Sequence, residues 1–167
     1  IGEVLVLFIA VVANWSAPLL PIHILWINLV TDSLPALALS VDPADPDIMQ
    51  RRPIDSKKGI MTKPFSIRII LQGIMIAALS LTAYHIGLKE SVELAQTMPF
   101  AVLAFPQIPL VYSLRSGNHS AFQGFFSNKY LIGAIAIVTG LMLMVLLIPA
   151  LETIFHVNAL TGRQWLW

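Results

Sequence analysis

The chain has 167 residues, 57% of them hydrophobic and only 11% charged, where a soluble domain carries about 25% charged residues. It has no cysteine, which excludes disulfides and thiolate metal sites, and its formal net charge of +1 leaves no basic footprint for nucleic acid. The few charges fall mostly between apolar runs, the pattern of an all-α, polytopic transmembrane bundle in a lipid bilayer.

The first apolar run, Val4 to Ala13, is short of the roughly 20 residues a helix needs to cross a bilayer, and reads as the end of a truncated helix spanning about 1–14. The opening Ile1-Gly2-Glu3 has no basic n-region and no cleavage site, so no signal peptide is read. The second run, Leu19 to Val41, is long enough but is interrupted by His23, Asn28, Thr31, Asp32 and Pro35. Phe65 to Ile86 spans with room to spare. Met98 to Leu114 is marginal and holds Pro106, Gln107 and Pro109. Tyr130 to Leu151 has no charge before Glu152, and Gln164 to Trp167 opens what reads as a sixth run. Both ends look cut, so the expectation is one membrane domain over 1–167, part of a longer protein.

The links sort by charge. Asp42 to Lys63 carries Arg51, Arg52, Lys57, Lys58 and Lys63, and Arg115 and Lys129 bracket the link between the fourth and fifth runs. Asn14 to Pro18 has no Lys or Arg, and Gly87 to Thr97 sets Lys89 against Glu90 and Glu93. Lys and Arg stay on the cytoplasmic side, so the first two links face the cytoplasm and the others face outside. Trp15, Tyr84, Tyr130, Trp165 and Trp167 stand near run ends, as interfacial aromatics do. The basic link also suits anionic lipid headgroups.

Within the second run, Asn28, Thr31 and Asp32 stand at i, i+3 and i+4 and share one helix face. An Asp at the centre of a span costs roughly 2.5–3.5 kcal/mol on insertion scales, and such residues face a bundle interior with a partner. Pro35 has no N–H, so the Thr31 carbonyl loses its helical donor and the ring crowds that turn. Carbonyl, hydroxyl and carboxylate oxygens together suit a hard cation such as calcium, and broken membrane helices supply ion sites in this way. The competing reading is a kinked helix whose polar residues bond their neighbours. His23, His85, His119 and His156 have no metal-ligand spacing, Met142 and Met144 read as packing or lipid-facing residues, and no nucleophile motif or phosphate loop is present, so no catalytic residue is assigned.

The run L-W-I-N-L-V-T-D-S-L-P-A, Leu25 to Ala36, closely resembles the sixth transmembrane helix of P-type cation ATPases of the calcium-pump class, sarcoplasmic-reticulum-type and bacterial alike, where the pattern is L-W-x-N-L-V-T-D-G-L-P-A. D-P-A-D-P-D-I-M-Q-R-R-P, Asp42 to Pro53, is similar to the family's following cytoplasmic link. Ile1-Gly2-Glu3 resembles its fifth helix, and F-S-N-K-Y-L, Phe126 to Leu131, resembles the entry to its ninth. The resemblance implies the end of helix five through the start of helix ten of an ATP-driven calcium pump. Its partners would be the N-terminal helices and cytoplasmic domains of the same pump, and ATP and Mg2+ would be used by those domains. With no D-K-T-G-T here, this stretch alone is not expected to hydrolyse ATP.

By the same resemblance Glu3 is a cation ligand from helix five, Asn28, Thr31 and Asp32 are ligands from helix six, and Asp32 lies between the two ion positions of two-site pumps. Aligning Asn118-His119-Ser120 with the end of helix eight puts Gln107 at the position of a family Glu, which leans toward one calcium per cycle. Ser33 replaces the usual Gly. The basic link would also pass motion from the phosphorylation domain. The implied localisation is multi-pass in a bacterial plasma membrane. Manganese or sodium and potassium in the same family, a non-enzymatic membrane scaffold, and a secondary transporter are the alternatives.

Overall fold

The computed structural model describes residues 1–43, 49, 63–115, 127–158 and 160. Among these, all regular structure is helical: α1 (Gly2–Val12), α2 (Pro21–Trp26), a π-helical turn (Ile27–Asp32), α3 (Ser33–Ser40), α4 (Lys63–Gly87), α5 (Val92–Ala104), α6 (Gln107–Arg115), α7 (Lys129–Leu147) and α8 (Pro149–Phe155). Four stretches are long and apolar enough to cross a membrane: Pro21–Ser40, Phe65–Gly87, Val92–Val111 and Lys129–Leu147. The protein is an all-α, polytopic membrane bundle. Arg51, Arg52, Lys57 and Lys58 of the basic link, the Asn118–Ser120 alignment point, Phe126, Trp165 and Trp167 lie outside the described residues.

Local chemistry fixes where the helices meet. Gly87 ends α4, and a Cβ there would stand 2.6 Å from the Ala95 Cα, so only glycine lets α5 fold back this tightly. Ser91 then starts α5, its Oγ accepting from the Leu94 N–H at 3.1 Å, a side-chain N-cap. This cap opens the helix at Val92, well before the Met98 where hydropathy alone opens it. Along α4, a Cβ on Gly73 would come within 2.6 Å of Ile1 Cγ2. Farther along the same pair, the Ser16 and Tyr84 hydroxyls lie 2.7 Å apart and Tyr84 donates to the Ser16 carbonyl at 2.8 Å. Both chains advance in the same sense between these contacts, so α1 and α4 run parallel.

The main core draws Val6 from α1, Ile27 from the π turn, Ile76 and Ala77 from α4, Phe100 and Leu103 from α5, Met142 and Leu146 from α7 and Phe155 from α8. The second spanning stretch thus sits among most of the other elements. Its N-terminal end is held by His23, fully buried, whose ring stacks on Phe100 at 4.6 Å. The Leu20 N–H donates to His23 Nδ1 at 3.3 Å, so Nε2 carries the proton and donates to the Phe155 carbonyl at 2.7 Å. Its other end is held by Asn128, 2% exposed. Asn128 Nδ2 donates to the Ala38 carbonyl at 2.9 Å and to Asp42 Oδ1 at 3.0 Å, while its Oδ1 caps α7 through the Leu131 N–H. Arg115 Nε contacts both Asp42 oxygens, at 3.0 and 2.8 Å, and its guanidinium reaches the Ser127 hydroxyl.

Tyr84, near the end of α4, is 1% exposed and bonded to Ser16, so its hydroxyl ties α4 to the link after α1. His23 is a buried joint between α2, α5 and α8.

Candidate cation site

Between those two anchors the helix is wound as a π turn over Ile27–Asp32. A π turn carries an extra residue and leaves backbone groups out of the ordinary ladder, and such turns gather at functional sites. Ser33 occupies the opening this makes: its Oγ donates to the Asn28 carbonyl, five residues back, at 2.8 Å. Pro35, buried one turn on, cannot donate, so the chain ahead of it has no regular α-helical continuation to adopt at full strength.

Asn28 projects from the turn toward α1. Its Nδ2 donates to Glu3 Oε2 at 3.1 Å and to the Ile24 carbonyl at 2.9 Å, which leaves Oδ1 as the free end of the amide. Glu3 is thereby tied to the turn by one oxygen, while its other oxygen, Oε1, is buried and accepts no hydrogen bond. Asp32 lies close enough for its charge to act on Glu3. The Asp32 side chain does not cap α3, and both Asn28 and Asp32 sit on the exposed side of the bundle. Thr31, 3% exposed, has a hydroxyl with no partner.

Gln107 opens α6, just after the chain breaks at Phe105 and Pro106. Its Oε1 is likewise buried without a hydrogen-bond partner, and no hydrogen bond joins it to Glu3, Asn28, Thr31 or Asp32. The structure therefore brings Glu3 and Asn28 into direct contact, holds Thr31 and Asp32 on the same turn, and leaves Gln107 unlinked to them. Two further buried polar atoms without partners, Trp26 Nε1 and Ser80 Oγ, were not singled out by sequence. Trp26 packs edge-on against Phe155 at 4.9 Å, and a tryptophan or serine in an apolar run gives no signal that its polar atom will be stranded.

Among the described residues no three His, Cys, Asp or Glu side chains gather. The donors here are two carboxylates with amide and hydroxyl oxygens. Such a set lacks the nitrogen and sulfur that zinc and copper favour and matches the oxygen preference of calcium, magnesium and manganese.

An apolar bundle of spanning helices, one of them interrupted by a polar π turn, defines an integral membrane protein. The chain belongs to the family described as cation transporting ATPase, C-terminus, which it matches over residues 16–167. It is 40% identical to "Calcium-transporting ATPase 1" of Bacillus cereus, over 98% of this chain and 20% of that protein. It is 37% identical to "Calcium-transporting ATPase" of Bacillus subtilis, over 99% of this chain and 19% of that protein. A more distant similarity, at 30% identity over 96% of this chain and 18% of the relative, is to "Calcium-transporting ATPase type 2C member 1" of Mus musculus. The chain thus spans about a fifth of the length of the curated Bacillus relatives it matches.

Proposed function

We propose that this chain is the cation-carrying membrane part of an ATP-driven P-type calcium pump, and that Glu3, Asn28, Thr31, Asp32 and Gln107 supply oxygens to the transported ion. The observation that carries the reading is a set of stranded atoms. Glu3 Oε1, Thr31 Oγ1 and Gln107 Oε1 are buried acceptors without donors, at positions where the sequence motif of the family places ligands. Each such atom costs about 1–3 kcal/mol when left unpaired, and native proteins keep few of them. A hard cation takes such oxygens together with the carboxylate of Asp32 and the free Oδ1 of Asn28, and Gln107, unlinked to the others, enters the set on the family motif.

The residues divide the work. Asp32 and Glu3 supply the negative charge that draws a divalent ion into a low-dielectric region. Asn28 and Thr31 add neutral oxygens that fill the coordination shell without adding repulsion. Gln107, neutral where two-calcium pumps carry Glu, leaves two carboxylates and one divalent ion's worth of charge, so one calcium is carried per cycle. Release requires that the same cluster lose affinity in a second state, and a π turn between fixed ends is the segment with backbone freedom to rewind. Emptied carboxylates then take up protons, which gives counter-transport. The remaining helices and the phosphorylation and nucleotide domains of the pump, using ATP and Mg2+, are the partners. A bacterial plasma membrane is the setting favoured by the Bacillus relatives.

The decisive measurement is ATP-driven calcium uptake into vesicles bearing the full-length pump. Asp32→Asn is expected to abolish uptake at micromolar calcium while leaving the protein in the membrane, and unchanged uptake would sink the assignment. Competition by manganese, sodium and potassium in the same vesicles identifies the ion. Counter-transport is checked by the pH of the vesicle lumen, which falls to no extent and rises as protons leave it in exchange for calcium.

A further inference from the structure

We infer that Ser33 is a positioning residue whose hydroxyl holds the π turn in its cation-accepting shape, and that it thereby sets calcium affinity without being a ligand. The inference rests on the cation-site reading above and deepens it.

The argument begins with the hydrogen bond from Ser33 Oγ to the Asn28 carbonyl at 2.8 Å. This bond spans the turn from its second residue to the first residue beyond it. Serine hydroxyls inside helices ordinarily bond back three or four residues, and Ser40 does so here, donating to the Leu37 carbonyl at 2.7 Å. Ser33 instead reaches five back, the spacing of the π turn itself. The bond exists only while the turn is π-wound, so it selects that winding over a regular helix.

Asn28 is also where the turn meets α1. Its backbone carbonyl is held by Ser33 and its amide by Glu3 and the Ile24 carbonyl. With both parts of the residue pinned, Oδ1 is left unengaged, Thr31 Oγ1 and Glu3 Oε1 are stranded, and Asp32 accepts no hydrogen bond among the described residues. The oxygens stand ready before an ion arrives. An ion that meets a pre-shaped turn does not have to order it, and affinity rises by the ordering avoided.

A side chain at 33 lacking a hydroxyl keeps every oxygen donor and loses only this tie. The size of the effect is that of one hydrogen bond, roughly 2- to 10-fold in affinity. Threonine keeps the hydroxyl and can make the same backward bond.

The test uses the full-length pump, purified and reconstituted, with calcium activation of ATP hydrolysis measured per mole of enzyme for the parent, Ser33→Ala, Ser33→Gly, Ser33→Thr and, as a control, Asp32→Asn. Ser33→Ala and Ser33→Gly are expected to raise the calcium concentration for half-activation by roughly 2- to 10-fold with maximal turnover held, and Ser33→Thr is expected to restore the parent value. A merely structural role would lower yield or melting temperature and leave half-activation in place. The inference is overturned if Ser33→Ala leaves half-activation unmoved or tightens it, or if Ser33→Thr is as impaired as Ser33→Ala. If Asp32→Asn also activates normally with calcium, the underlying site reading fails and this inference falls with it. Normal Ser33→Ala beside a dead Asp32→Asn removes the inference alone.

Discussion

Thr31 and Gln107 each bury an oxygen with nothing to bond, although neither residue is charged and both have apolar near-isosteres. This sets stability against function at single positions. Thr31→Val and Gln107→Met remove a stranded acceptor while keeping volume, so each is expected to raise stability in the absence of calcium by about 1 kcal/mol. The same two changes should weaken calcium activation of the full-length pump. Thermal melting in detergent without calcium, set beside calcium titration of ATP hydrolysis, checks both halves. A variant that melted earlier and bound calcium normally would show the oxygen to be structural. At this scale the sequence was informative where a polar residue interrupts an apolar run, as with Asn28 and Asp32. It read His23 only as an interruption of the second run and Tyr84 only as an aromatic near a run end, because burial at a helix end depends on which neighbours arrive, and no local pattern encodes Phe155 meeting His23 or Ser16 meeting Tyr84.

At the scale of elements, the second spanning stretch is clamped at both ends and irregular between them. The clamp at its C-terminal end is the more polar. Asn128 caps α7 and donates to both Ala38 and Asp42, and Arg115 pairs with Asp42. Replacing Asn128 with Ala removes an N-cap and two donors from a buried position, a combined loss of about 2–3 kcal/mol. The expected outcome is a clear fall in melting temperature, with a smaller fall for Ser127→Ala at the exposed rim. The runs of apolar residues made the helices legible, while Pro35, read as the break, lies inside α3 and the irregular turn ends at Asp32. The π winding itself was not legible, since it depends on Ser33 reaching the Asn28 carbonyl and on both ends being held. The clasp of Asp42, Arg115 and Asn128 was also hidden, because its members are far apart in sequence and read singly as link residues.

For the whole molecule, charge placement predicts sidedness. Arg115 and Lys129 flank one face of the bundle, and the turn joining α4 to α5 carries Lys89 and Glu90 on the other. The absence of cysteine makes this directly testable with single introduced thiols. In intact cells, Lys89→Cys is expected to react with a membrane-impermeant maleimide, whereas Met49→Cys is expected to react only after the membrane is opened. Reversed labelling would invert the topology drawn from the basic links. The all-α membrane class was evident from composition because a bilayer admits few backbone solutions. How the helices lie against one another was not, since Gly73 under Ile1 reads in sequence only as a glycine in an apolar run and Gly87 under Ala95 only as the start of a link.

The π turn also acts as a phase shifter. One residue beyond the ordinary helical count turns everything after it by about 100° around the axis. Upstream, His23 stacks on Phe100 of the main core; downstream, Ala38 is the residue that meets Leu131 of α7. Rewinding Ile27–Asp32 into a regular α-helix with every residue kept would swing Leu37 into the slot that Ala38 fills and carry Asp42 off Asn128, whereas deleting one residue along with the rewinding would leave that register in place. For a chain of this length, the irregular turn is therefore what keeps the two halves of the helix in register with two different sets of neighbours.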